Sequence, residues 1–163
     1  VAELIGCAVK ISLAELVAMA DYDLEMKIYG LNALPTFLSR SLLEMSVYDA
    51  SQKADFQKLV DELELKVELV DDRTGMVTPR IICMIINEAC FVLQEGTAGI
   101  EDVDRAMKLG TKYPHGPFAW ADQIGIVNVY EVLENLREDL GDGKYKIAPL
   151  LKKHRLKELA FYN

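Results

Sequence analysis

A chain of 163 residues can bury roughly 70% of the surface its unfolded form exposes, enough for one compact domain or two small ones. With 51% hydrophobic and 27% charged residues, five prolines and no repetitive tract, the composition excludes a disordered chain. A formal net charge of -8 repels phosphate backbones, which excludes nucleic acid as a partner.

The basic residues are scattered except for Lys152, Lys153, His154 and Arg155, a group that follows Leu150-Leu151 and reads as the solvated last turn of a helix. The longest apolar run, Ile81 to Ile86, soon meets Asn87 and Glu88 and falls short of the roughly 18 to 20 residues a bilayer requires, so no membrane span is expected. Val1 stands where a start methionine is expected and no secretion signal precedes it, which predicts a processed, trimmed or incompletely recorded start. Three cysteines without CxxC spacing point to a reducing cytoplasm, with the thiols as small buried apolar groups. Cys83 and Cys90 would stand about 10.5 Å apart along a helix, too far to bridge.

In chain order, Leu4 to Ile11 is β-compatible, and Ser12-Leu13-Ala14-Glu15 has the spacing of a capping box opening a helix to about Ala20. Met26 to Leu31 and Leu42 to Tyr48 have the length and apolar content of strands. Ser51 to Leu63 places Phe56, Leu59, Val60 and Leu63 on one helical face, and Lys66 to Val70 alternates with period two. Beyond the polar turn Asp71 to Gly75 only helical patterns remain. Thr78 is placed as a cap and Pro79 at the first position of a central helix running to about Glu95, with Ile82, Ile85, Ile86, Ala89 and Leu93 on its apolar face and Gly96 ending it. Further helices are predicted over Glu101 to Leu109, stopped by Gly110, and over about Phe118 to Ile124, Val127 to Leu140 and Pro149 to Leu156. The expected fold is α+β and mostly helical: residues 1–73 a truncated Rossmann-like α/β segment, residues 74–163 an all-helical domain.

The segments Ile85-Ile86-Asn87-Glu88-Ala89, Leu93-Gln94-Glu95-Gly96, Ile100 to Asp104, Ala106 to Gly110, Tyr113-Pro114-His115-Gly116-Pro117-Phe118 and Ala121 to Gly125 closely resemble the C-terminal domain of 3-hydroxyacyl-CoA dehydrogenases. The likeness covers residues 74–163, including Lys144-Tyr145, Pro149 to Leu151 and the final Phe161-Tyr162. More weakly, residues 1–73 resemble the second half of that family's nucleotide-binding domain. Gly30-Leu31-Asn32 falls where the family has Gly-Leu-His, and Glu44 falls on its catalytic glutamate, twelve residues on as in the family.

The resemblance implies NAD-dependent chemistry in which the histidine takes the proton of a 3-hydroxyl and the glutamate polarises the imidazole. Asn32 has no titrating nitrogen, and loss of the base alone is expected to cost on the order of 10² to 10⁴ in rate. Thr78-Pro79-Arg80 stands where the family opens a helix with Val-Asn-Arg, and Pro79 lacks the side-chain donor. None of the ten glycines forms the GxGxxG loop that brings a pyrophosphate to a helix N-terminus, so no cofactor is predicted for this chain. Without the histidine, Glu44 is expected to be solvated at a sheet edge, with no assigned role. His115 and His154 read as surface residues, Trp120 as an anchor for helix packing or a subunit interface, and Asp122 as a residue that caps or orients the turn.

Three readings stand. One is a catalytically degenerate member of the family in fatty-acid or butanoate metabolism, a homodimer through its helical domain that binds an acyl-CoA, a partner enzyme or both, and is inactive alone. A second is part of an active dehydrogenase whose nucleotide-binding half lies elsewhere. The third is a binding protein that reuses the fold.

Overall fold

Ser12 and Glu15 open the first helix in the reciprocal manner their spacing predicts: the Glu15 N–H donates to Ser12 Oγ at 3.2 Å, and the Ser12 N–H donates to Glu15 Oε2 at 3.0 Å. Hydrogen bonds from the Ser12 hydroxyl and then its N–H hold the Glu15 carboxyl below the usual range. This helix, α1 (Leu13–Ala20), follows strand β1 (Glu3–Cys7) in the computed structural model, which describes residues 2–20, 26–141 and 143–162. Strand β1 is shorter than the apolar run from Leu4 to Ile11, because the Val9 carbonyl accepts from Gly75 N–H at 2.7 Å instead of continuing a ladder.

Strands β2 (Lys27–Leu31) and β3 (Leu43–Val47), helix α2 (Lys53–Glu62) and strand β4 (Val67–Leu69) complete the α/β part. The sheet order is β1-β2-β3-β4, with β2 and β3 antiparallel and the outer pairs parallel. Alternation along β2 sends Tyr29 to one face and Ile28 to the other. Tyr29, Met45 and Val47 pack with Phe56 and Val60 of α2, the rings of Tyr29 and Phe56 5.2 Å apart. Ile28 and Ala8 pack with Leu13 and Val17 of α1. Leu63, expected on the buried face of α2, lies at the helix C-terminus and is 52% exposed.

The chain divides into two compact units, Val1–Pro79 and Arg80–Asn163. The break falls beyond the polar turn at 71–75 because that turn is bonded into the first unit: Asp72 accepts the N–H groups of Leu13 at 2.7 Å and Ala14 at 3.0 Å.

Helix α3 (Thr78–Gln94) is followed by α4 (Ile100–Thr111), α5 (Pro117–Ile124), α6 (Ile126–Leu140) and α7 (Pro149–Lys157). Thr78 lies inside the first turn of α3 instead of capping it, while Gly96, at φ +74°, ends the helix region as expected. Gly110 does not stop α4. The Thr111 hydroxyl bonds the Met107 carbonyl at 2.6 Å, the Lys112 N–H bonds the Lys108 carbonyl at 3.1 Å, and Lys112 itself takes the left-handed conformation, at φ +56°. A glycine permits such a cap without imposing it.

The helices are joined by buried or half-buried polar side chains that accept peptide N–H groups. Asp104, 6% exposed, accepts from Phe118 at 2.8 Å and Ala119 at 2.9 Å, and so caps α5. A Cβ on Gly116 would meet Asp104 Cβ at 2.3 Å, which explains the glycine before Pro117. Asn87 donates to the Lys146 carbonyl at 2.9 Å and accepts from Ala148 N–H at 2.8 Å. Asp122 accepts the N–H of Phe161 at 2.9 Å and of Tyr162 at 2.8 Å and so holds the last aromatic pair. The Tyr162 hydroxyl donates to Asp104 at 3.0 Å, and burial, then this carboxylate, push the phenol up to about 12.

Gly30 is the tightest point of the sheet. A Cβ there would lie 2.4 Å from Ser46 Oγ and 2.7 Å from Ala8 Cβ. Gly30→Ala is expected to lower unfolding free energy by about 1–3 kcal/mol through overpacking. Urea denaturation checks this, with Ser46→Gly in the same background expected to recover part of the loss.

Candidate functional site

Asn32 and Glu44, separated in the sequence, come together at the end of the β2–β3 ladder. The Asn32 N–H donates to the Glu44 carbonyl at 2.9 Å, one step beyond the Leu31–Met45 pair. Their side chains therefore share a face, and Asn32 Nδ2 donates to Glu44 Oε2 at 3.4 Å. Strand β3 lies between β2 and β4, so Glu44 is not on a sheet edge, and its carboxylate is not merely solvated. Oε1 accepts the N–H groups of Val77 and, at 3.2 Å, Thr78; Oε2 also accepts from Thr78 at 3.2 Å. The carboxylate thus sits on the N-terminus of α3, where unpaired peptide donors and the helix dipole both favour negative charge.

Asn32 is 3% exposed, and its Oδ1 has no hydrogen-bond partner; Ser46 Oγ, on the same sheet face, has none either. The amide is committed as a donor to Glu44 and offers no proton acceptor of useful basicity. Beside Glu44 lies a cavity of about 650 Å³, lined by Arg40, Leu43, Glu68, Val70 and Val77 among others. Leu42, which also lines it, is 53% exposed. The combination of apolar walls with a few polar groups suits a mixed apolar and polar ligand.

A dinucleotide does not fit the β1–α1 crossing. The peptide donors of α1 that would meet a pyrophosphate are taken by Asp72 and Ser12, and the preceding loop reads Ala8-Val9-Lys10-Ile11 in place of glycines. Among the described residues no group of three or more His, Cys, Asp or Glu side chains is placed to hold a metal ion.

The remaining candidates are structural. His115 packs edge-on against Trp120 at 5.7 Å with its Nδ1 3.2 Å from Gln123 Nε2, and His154, only partly exposed, stacks on Phe161 at 4.1 Å. Trp120 is 3% exposed and packs within its own unit. Cys83 and Cys90 are buried, each thiol pushed up to about 12 by burial, whereas Cys7, expected to be buried, is exposed at the end of β1. The backbone donors of Val77 and Thr78 escape sequence reading because a peptide N–H carries no residue signature.

If Glu44 is the acceptor that completes the start of α3, Glu44→Ala leaves those donors and the Asn32 amide unpaired. The expected loss is about 1–3 kcal/mol of stability, read by urea denaturation, and an unchanged midpoint would contradict the assignment.

The sequence pattern of the 3-hydroxyacyl-CoA dehydrogenase C-terminal domain matches residues 75–159. The chain is 41% identical over 92 residues to the 3-hydroxyadipyl-CoA dehydrogenase of Escherichia coli, covering 56% of this chain and 19% of that one. It is 34% identical over 148 residues to the 3-hydroxybutyryl-CoA dehydrogenase of Bradyrhizobium diazoefficiens, covering 88% of this chain and 50% of that one. The crystal structure of (S)-3-hydroxybutyryl-CoA dehydrogenase from Ralstonia eutropha superposes with a TM-score of 0.79 at 30% identity, over 97% of this chain and 56% of that one. The chain thus spans about half, or less, of the length of these relatives. It belongs to the 3-hydroxyacyl-CoA dehydrogenase family, and the stretch 75–159 is its copy of the family's C-terminal domain.

Proposed function

We propose that this chain is a non-catalytic member of the family that binds the acyl portion of a CoA thioester and acts as a dimeric binding or accessory module in fatty-acid or butanoate metabolism. The observation that carries the reading is the Asn32–Glu44 pair: an amide stands at the position of the proton-accepting side chain, and the carboxylate is engaged with peptide N–H groups of α3. Pro79 adds to it, since position 79 itself carries no side-chain donor. Both features belong to residues in hand, so the reading does not depend on any glycine loop outside them. The cavity beside Glu44 is the site assigned to the acyl group. Three free cysteines suit a reducing cytoplasm, and no helix among the described residues is long and apolar enough to cross a membrane.

Isothermal titration with acetoacetyl-CoA and with NADH, together with a spectrophotometric assay of NADH oxidation, tests this. Saturable thioester binding without NADH binding or turnover is expected; turnover would overturn the reading. The extent of likeness to (S)-3-hydroxybutyryl-CoA dehydrogenase favours a second reading, a part of an active NAD-dependent enzyme whose nucleotide-binding half lies on other residues. Turnover on addition of such a half would support it.

Self-association is assigned to the helical unit, which leaves Leu109, Leu140 and Leu156 at least half exposed. Sedimentation velocity at micromolar concentration is expected to show a dimer, and a single monomeric species would remove this part of the proposal.

A further inference from the structure

A cavity of about 380 Å³ lies within the helical unit, floored by Ile81, Met84 and Ile85 of α3 and bounded by Arg80, Lys144 and Tyr145. The three apolar residues stand at i, i+3 and i+4, on one stripe of the helix, and Ile81 remains 50% exposed, so this stripe is incompletely covered. Tyr145 is 1% exposed, and its ring gathers two cations: Arg80 Cζ is 5.5 Å and Lys144 Nζ 5.6 Å from its centroid. The Arg80 guanidinium also donates to the Tyr145 hydroxyl, a neutral acceptor that leaves the positive charge uncompensated. Among the described residues neither Arg80 nor Lys144 pairs with a carboxylate.

In a chain with 26 acidic and 18 basic side chains, two cations collected on one ring without an acid are unusual, and an anion entering the cavity is attracted by both. Arg80 retains guanidinium N–H groups beyond the one on Tyr145, in the planar arrangement that suits a carboxylate. Glu88 lines the same cavity two turns along α3, about 12 Å from Arg80 by the helical rise. Positive charge at one end and negative at the other orient a ligand: its anionic head goes to Arg80 and Lys144, its apolar part lies on Ile81, Met84 and Ile85, and a second anionic group is disfavoured.

We propose that this cavity is a binding site for a short-chain carboxylate. The site is separate from the cavity beside Glu44 and shares no residue with it. Titration of the full chain with hexanoate, hexanol and hexylamine, followed by calorimetry and by carbon-labelled Ile and Met methyl spectra, tests it. Hexanoate is expected to bind about tenfold or more tightly than hexanol, hexylamine weakest of the three, and to shift the methyl signals of Ile81, Met84 and Ile85. Lys144→Gln, at an exposed residue, is expected to weaken hexanoate about two- to fivefold and leave hexanol unaffected; Arg80→Gln is expected to weaken it about tenfold or more. Hexanol binding as tightly as hexanoate, methyl shifts confined to other residues, no saturable hexanoate binding at millimolar concentration, or an unaffected Lys144→Gln variant would each overturn the proposal.

Discussion

The first peptide N–H groups of a helix have no partner within the helix, and at the start of α3 those of Val77 and Thr78 are satisfied by a carboxylate from strand β3. Glu44 reaches them because β3 is an interior strand, flanked by β2 and β4 and unable to shift register without breaking both ladders. The same carboxylate receives the Asn32 amide from the neighbouring strand. One group therefore ties the end of β2, the start of β3 and the first turn of α3 into a single arrangement, and the candidate site is built around it.

The same device recurs through the chain. Asp72 receives the first N–H groups of α1, Asp104 those of α5, and Asp122 those of the final aromatic pair. Each acceptor is remote in sequence from the donors it satisfies. The ion pairs, by contrast, involve side chains at least a quarter exposed, where solvent leaves little net stabilisation. Losing one of these acceptors would leave buried or half-buried peptide donors unpaired, which costs more than losing an exposed ion pair.

This use of Glu44 bears on chemistry. A carboxylate that orients an imidazole must present an oxygen to it; here the neighbour is an amide whose own oxygen is buried without a partner. An amide and an imidazole can both donate to a carboxylate, but only the imidazole takes up a proton near neutrality.

Periodicity and capping chemistry in the sequence determined nearly all of the elements: the Ser12–Glu15 box, the strands around Tyr29 and Met45, Pro117 at a helix start and Gly96 at a helix end are local, and the interactions that specify them lie within a turn or two. Segments such as Ile85 to Ala89 and Tyr113 to Phe118 also carried the family, since their order and spacing are a property of the chain itself. Where α4 ends, why Leu63 faces solvent, and what Asp122 and Asp72 do were decided only by tertiary structure. So was the role of Glu44, read from the sequence as a solvated edge residue: its partners are peptide N–H groups more than thirty residues away. A backbone donor looks the same at every position of a sequence, and only folding selects which carboxylate it meets.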